Sequence, residues 1–368
     1  MIKYLGSKRT LAPSIVETIR GCAGAESVLD LFSGTSRVGL ALKTAGFRVS
    51  ANDHNAYAAT LARCYVQADR STHVADAERL VAEFNAMPGR AGYFTETFCE
   101  RARFFQPKNG ARVDAIREAI AAKGLPPELE AAMLVSLMEA ADRVDSTTGV
   151  QMAYLKQWAA RSEKDLELRV PAMVDRPAAG PCRAYQMEAA DAAAALAADV
   201  VYIDPPYNQH SYLGNYHIWE TLVLWDQPEA YGVACKRTDC RERKSAFNSR
   251  PRFYDAMAAV LASVRARHVV VSFSDEGYIG RDAMEGLLSA VFAGSRLSVV
   301  EHDYKRYVGA QIGIHNPQGV RVGSVGRLRN KEYLFVVSAA ETGAWLAPRR
   351  PNCSAGPTPA GPTLRAAV

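Results

Sequence analysis

No stretch of the 368-residue chain approaches the roughly 18 consecutive apolar residues of a membrane span, and nothing after Met1 reads as the apolar segment of a secretion signal. Seven cysteines are scattered without a Cys-x-x-Cys pair. Cys235 and Cys240 stand closest, and nothing around them completes a ligand set. His210 and His217 lack a third partner at sensible spacing, so no metal is expected. Reduced thiols in a cytoplasmic, non-membrane protein are the expectation. Internal repeats are absent, and so is the dinucleotide pattern G-x-G-x-x-G. Charge of one sign is also scarce: a net +5 permits a polyanionic partner without demanding one. What is present is 48% hydrophobic residues, enough for a large core and an appendage to the main domain.

The most informative stretch is Asp199 to Tyr207. Val200, Val201, Tyr202 and Ile203 read as a strand buried on both faces, running straight into Asp204-Pro205-Pro206-Tyr207. In an open α/β sheet, ligands bind beyond the carboxyl ends of strands, so these four residues face a crevice. The prolines fix a stiff turn and leave carbonyls free to accept. Asp204 and a proline carbonyl suit the two N–H bonds of an exocyclic amine, and Tyr207 suits stacking on its ring. The plainer reading is a strand-to-loop corner capped by an aspartate.

Upstream, Ser27 to Phe32 is a strand that feeds the small-residue loop Ser33-Gly34-Thr35-Ser36 and a helix from Arg37 to Ala45. Such a loop lets a ligand approach the backbone at a helix N-terminus. Ser36 stands where a second glycine would be expected. The next strand, Phe47 to Ala51, ends at Asn52-Asp53, about 20 residues past the loop, where an acidic side chain binds ribose hydroxyls or caps the following helix. With Asp204 presenting an amine, S-adenosylmethionine fits this pattern better than a nicotinamide. Asp191, before an alanine-rich helix, either touches the cofactor's base or caps that helix.

From Tyr93 to Pro177 the strand pattern disappears. Helices are expected over Arg112–Lys123 and from Pro126 to about Arg143, with Tyr154–Trp158 continuing in similar style. The entry to this region interleaves Arg101, Arg103 and Lys108 with Phe104 and Phe105, as nucleic-acid surfaces do, or as a solvated face over a packed pair does. The densest basic stretch carries Lys236, Arg237, Arg241, Arg243, Lys244, Arg250 and Arg252, and reads as a mobile loop on phosphates. Strands follow at His268–Ser274, Leu297–His302 and Tyr333–Ser338, with a glycine-rich basic connection before the last. Lys3 to Arg9, taken by itself, reads as a solvated N-terminal arm.

Together these segments resemble the adenine-specific DNA methyltransferases of the Dam-like family. Lys3 to Arg9 match its K-Y-x-G-[SG]-K-[RS] segment, Phe32 to Ser36 its F-x-G-[ST]-[GS] loop, and Asp204 to Tyr207 its D-P-P-Y turn, while Asn330 to Phe335 resemble its last strand. The resemblance covers most of residues 1–340. It implies a doubly wound, mostly parallel seven-stranded α/β sheet whose final strand is antiparallel. It also implies a catalytic domain over 1–92 and 181–346, a helical target-recognition insert over 93–180, and leaves 347–368 as an expected disordered tail. Tyr4, Lys8, Phe32, Gly34, Asp53 and Asp191 would line the S-adenosylmethionine site, with Ser33 and Thr35 in the same loop. Asp204, Pro205, Pro206 and Tyr207 would hold an adenine swung out of duplex DNA for in-line methylation at N6. A cognate restriction endonuclease is an expected partner. Cytosine N4, RNA adenine or a protein amide remain as other acceptors, and a non-catalytic DNA-binding subunit remains as a reading without chemistry.

Overall fold

The computed structural model describes residues 1–305 and 329–349. The glycine-rich basic connection (306–328) and the tail from 350 onward lie outside the described residues.

Seven strands form one sheet: β1 (Ser27–Asp30), β2 (Arg48–Asn52), β3 (Arg183–Tyr185), β4 (Ala197–Ile203), β5 (Arg265–Ser274), β6 (Arg296–Lys305) and β7 (Arg329–Ser338). Their order is β3-β2-β1-β4-β5-β7-β6. The β1, β2, β3, β4 and β5 pairings are parallel, and β7 inserts antiparallel between β5 and β6. This is the doubly wound, mostly parallel sheet with an antiparallel final strand that the resemblance implied.

Ten helices accompany it among the described residues: α1 (Ala12–Arg20), α2 (Arg37–Thr44), α3 (Ala56–Ala62), α4 (Arg70–Ala86), α5 (Pro107–Ala122), α6 (Pro127–Arg143), α7 (Ala189–Ala195), α8 (His217–Leu224), α9 (Arg250–Ser263) and α10 (Arg281–Val291), besides single turns. Strand alternation divides the core. Val200 and Tyr202 of β4 pack with Ile15, Ile19 and Leu42 of α1 and α2, whereas Val201 and Ile203 pack with Phe253, Leu261 and Leu287 of α9 and α10. Burial on both faces explains why these strands read as continuous apolar runs.

A third core fills the helical layer. Phe94, Phe98, Phe104 and Phe105 share it with Tyr57 of α3, Phe84 of α4, Leu137 of α6 and Trp219 of α8. Residues 93–180 are therefore packed continuously with helices on both sides of them in sequence. Two expectations are corrected here. Tyr154–Trp158 is not helical: Gly149, at φ +100°, turns the chain so that Tyr154 bridges back to Thr147. Nor is Lys3–Arg9 a solvated arm, because Lys3 Nζ bonds Asp145 at 2.8 Å and Lys8 is buried.

The helix α2 approaches the sheet through Gly39, where an added Cβ would stand 2.8 Å from Val66 and 3.2 Å from Asp30 Oδ2. Gly39→Ala is expected to destabilise the fold by about 1–3 kcal/mol through overpacking, read as a lower Tm or denaturant midpoint. An unchanged midpoint would show that α2 shifts to make room.

Candidate active site

Parallel register brings the carboxyl ends of β1, β2 and β4 to one edge: Asp30 lies opposite both Ala51 and Tyr202. The chain after β1 is tied down on both sides, Leu31 N donating to Tyr202 O at 3.0 Å and Ser33 N to Asn52 O at 2.8 Å. Gly34 takes φ +51° with Tyr4 only 3.5 Å from where a Cβ would stand, and its N–H donates to Asp53 Oδ2 at 3.0 Å. Ser36 adopts the left-handed region at φ 59°, strained for a residue with a Cβ. Its hydroxyl lies 3.0 Å from that of Ser33, which helps hold the turn without a second glycine.

An open cavity occupies this edge. Tyr4, Lys8, Phe32, Ser33, Gly34, Thr35 and Asp53 all line it, together with Asp204 and Pro206. Pro205 is buried behind the turn, and Tyr207 is packed edge-on against Phe273 at 5.4 Å. Asp191 is the correction: it is exposed in the first turn of α7, whose preceding residues Met187 and Glu188 form the cavity wall instead. Glu188, not Asp191, stands at the helix N-cap position. Tyr4 is sandwiched between Tyr212 (5.0 Å) and Tyr216 (4.5 Å), and its hydroxyl meets that of Tyr57 at 3.1 Å.

The floor of the cavity is charged. Lys8, only 7% exposed, places Nζ 3.1 Å from Asp204 Oδ1 and against Glu332 Oε1 of β7, which also accepts from Ser272 Oγ at 2.7 Å. Burial works against the ammonium, but the Asp204 and Glu332 carboxylates outweigh it and hold its pKa well above the ordinary lysine value. Burial pushes Asp204 up to about 6, opposed by Lys8 and reinforced by Glu332. Asp204 Oδ2 has no partner among the described residues. Burial likewise pushes Asp30 up to about 7, and its Oδ2 is buried without a partner. No cluster of metal-ligating side chains occurs among the described residues.

The comparisons with known proteins bear directly on this geometry. Residues 4–283 match the D12 class N6 adenine-specific DNA methyltransferases. The chain belongs to that family. It is 28% identical over 327 residues to the type II methyltransferase M.FokI of Planomicrobium okeanokoites and 26% over 322 to the modification methylase StsI of Streptococcus sanguinis. Each alignment covers 83% of this chain but only 50% and 49% of those proteins, so the chain spans about half their length. It is also 27% identical over 319 residues to the type II methyltransferase M.NlaIII of Neisseria lactamica, covering 83% of this chain and 92% of that one.

In this D12-class chain the basic residues split into two groups. Arg237 is no phosphate contact: it is 4% exposed and bonds Asp226 Oδ2 at 2.7 Å and Asp239 Oδ1 at 2.8 Å. Those pairs, the short ribbon Ala230–Tyr231 with Lys236–Arg237, and buried Phe247 order a segment that composition alone presents as a mobile loop. Arg243 is exposed, yet bonds buried Glu220 at 2.9 Å and lines the cavity beside Phe247 and Asn248. Phe247 was the available signal, since a lone large aromatic in a basic stretch calls for burial. Arg103 donates to the Lys156 carbonyl and stacks on Trp158, and Lys108 bonds Asp165. Arg101, Arg241 and Lys244 are exposed, with Arg241 over the Tyr231 ring, and Lys236 lies against Met152.

Arg237→Ala leaves two carboxylates without their shared guanidinium and is expected to cost roughly 3 kcal/mol of stability in denaturant unfolding. Lys244→Ala should stay within about 0.5 kcal/mol of the parent. Equal effects would contradict the division between structural and exposed cations.

Proposed function

We propose that this chain transfers a methyl group from S-adenosylmethionine to N6 of an adenine extruded from duplex DNA. The observation that carries the reading is Asp204: its Oδ1 is held by Lys8, its Oδ2 has no partner among the described residues, and it lines the same cavity as Phe32, Gly34 and Asp53.

The cavity suits such a donor. Its carboxylates Asp30 and Asp53 complement a cation. Tyr4, Phe32, Ser33, Gly34, Thr35 and Asp53 would hold it, with Asp53 on the ribose hydroxyls while keeping its bond to Gly34. When bound, the donor supplies an electrophilic methyl group.

The chain's own residues orient the acceptor. Asp204 Oδ2 and the Pro205 or Pro206 carbonyl accept the two N–H bonds of an adenine amine, drawing its lone pair out of the ring and toward the cavity. Tyr207 offers a ring face for stacking, fixed by Phe273 behind it. Among the described residues no cysteine lines the cavity: the thiols at 22, 64, 99, 182 and 235 are buried elsewhere, and Cys240 is not part of its wall. Extruding the base costs a few kcal/mol, offset by stacking and by phosphate contacts. Arg101, Lys236, Arg241 and Lys244 are assigned to those contacts. Residues 93–180, which pack on α8 just beyond the turn, are assigned to target recognition. The printed names of the relatives, type II methyltransferases and modification methylases, support a DNA-marking role beside a cognate restriction endonuclease. No helix among the described residues is long and apolar enough to cross a membrane. A DNA substrate supports a cytoplasmic site of action.

Asp204→Ala is expected to leave donor affinity within about twofold by calorimetry while cutting methyl transfer to duplex DNA by about 10²–10³. Tritiated donor supplied with duplex DNA, RNA or protein separates the acceptors, and label on RNA or protein alone would overturn the reading. So would parent-level turnover by the variant.

A further inference from the structure

Buried Glu332 on β7 belongs to no step of the reading above, yet it touches the residue that touches Asp204. The register of β5 and β7 pairs Glu332 with Ser274, which leaves the Ser272 hydroxyl on the same face, diagonal to it. The alternation that points Tyr202 toward α1 and α2 points Asp204, two residues on, the same way. Lys8, descending from the turn Lys8–Thr10, enters between the two carboxylates and is shared by them.

We infer that Glu332 is a positioning residue for the transfer: it draws the Lys8 ammonium partly away from Asp204, so that the carboxylate facing the cavity stays a strong hydrogen-bond acceptor for the incoming amine. This rests on the proposed function and deepens it. An ammonium has three donors on one small charge. Given wholly to Asp204, that charge would neutralise the acceptor that polarises the amine; divided with Glu332, it anchors Asp204 without quenching it. The acceptor's basicity governs how strongly it pulls on N–H, so the division affects turnover and not merely folding. Around the trio stand Asp30 at the end of β1, Tyr202 on β4, Tyr207, Tyr212 and Glu276, and His302 opposite Glu332 on β6. Lys8 is the one cation that meets Asp204 among the described residues.

Two variants move Asp204 in opposite directions. Glu332→Gln keeps the size and the acceptor for Ser272 but removes the charge that raises Asp204. Lys8 then pairs fully with Asp204, turnover on duplex DNA at pH 8 falls about tenfold, and the acid limb of the pH–turnover profile moves to lower pH. Donor affinity stays within twofold. Ser272→Ala removes the second donor to Glu332, draws Lys8 further from Asp204 and moves that limb to higher pH.

A readout free of catalysis accompanies both. Because Asp204 is raised from 3.8 to about 6, the folded chain binds its proton more readily than the unfolded one, so stability falls as pH rises from about 4 to about 6. Tm against pH should show a smaller fall in Glu332→Gln, ending at lower pH, and a larger one in Ser272→Ala. Unchanged limbs and Tm profiles in both variants would overturn the role of Glu332. If Glu332→Gln does not fold, an unmoved limb in Ser272→Ala overturns it alone. If the parent methylates no duplex DNA, the proposed function fails, and the Tm profiles still decide the role of Glu332.

Discussion

One ammonium group joins the parts of this molecule that sequence separates most widely. Lys8 Nζ meets Asp204 at the end of β4 and Glu332 on β7, and Ser272 of β5 closes the arrangement from below. Burying three charges is costly unless each is paired and hydrogen-bonded, and here each is. The same contact therefore fixes the N-terminal segment over the sheet edge, which in turn sets Tyr4 against Gly34 and closes one wall of the cavity. Loss of Lys8 would leave two uncompensated buried carboxylates at the place where the chemistry is proposed.

Much of this was legible in the sequence, for identifiable reasons. Strands buried on both faces announce themselves as runs of Val and Ile, which is why β4 and β5 stood out and why the Asp204 turn could be aimed at a crevice. The small-residue loop at Ser33–Ser36 and the carboxylate at Asp53 follow from where a parallel strand must deliver a ligand. The ionic detail was not legible. Glu332 sits in an ordinary Lys-Glu-Tyr-Leu-Phe run, and only the antiparallel register of β7 beside β5 shows that its side chain faces Lys8. A carboxylate inside a buried strand was the signal, since such groups need a partner. Acidity near a strand end does not guarantee proximity to the cavity: one turn of helix carries Asp191 outward. Arg237 misled because charge composition does not disclose pairing: Asp226 and Asp239 bind it on either side and bury it.

The division of labour follows from packing. The sheet supplies a rigid edge, its turns held by backbone hydrogen bonds between β1, β2 and β4. The helical layer shares a single aromatic core that reaches from α3 to α8, so the cavity and the surface assigned to DNA are mechanically continuous through Trp219 and Phe105. The ribbon and turns from 230 to 248 bridge the two, with Arg237 locked inside and Phe247 against Phe32 at 5.1 Å. Of the exposed cations on that bridge, Lys244 stands between Arg243 and Ser245, which both line the cavity.

The central claim is geometric: donor and extruded purine occupy one cavity, on either side of the turn from Asp204 to Tyr207. A crystal structure with a non-reactive donor analogue and a short target duplex measures this directly. The account predicts the analogue between Phe32, Gly34 and Asp53, and the amine of an unstacked adenine against Asp204 Oδ2. An analogue bound elsewhere, or an adenine amine held by other residues with Asp204 uninvolved, would contradict it.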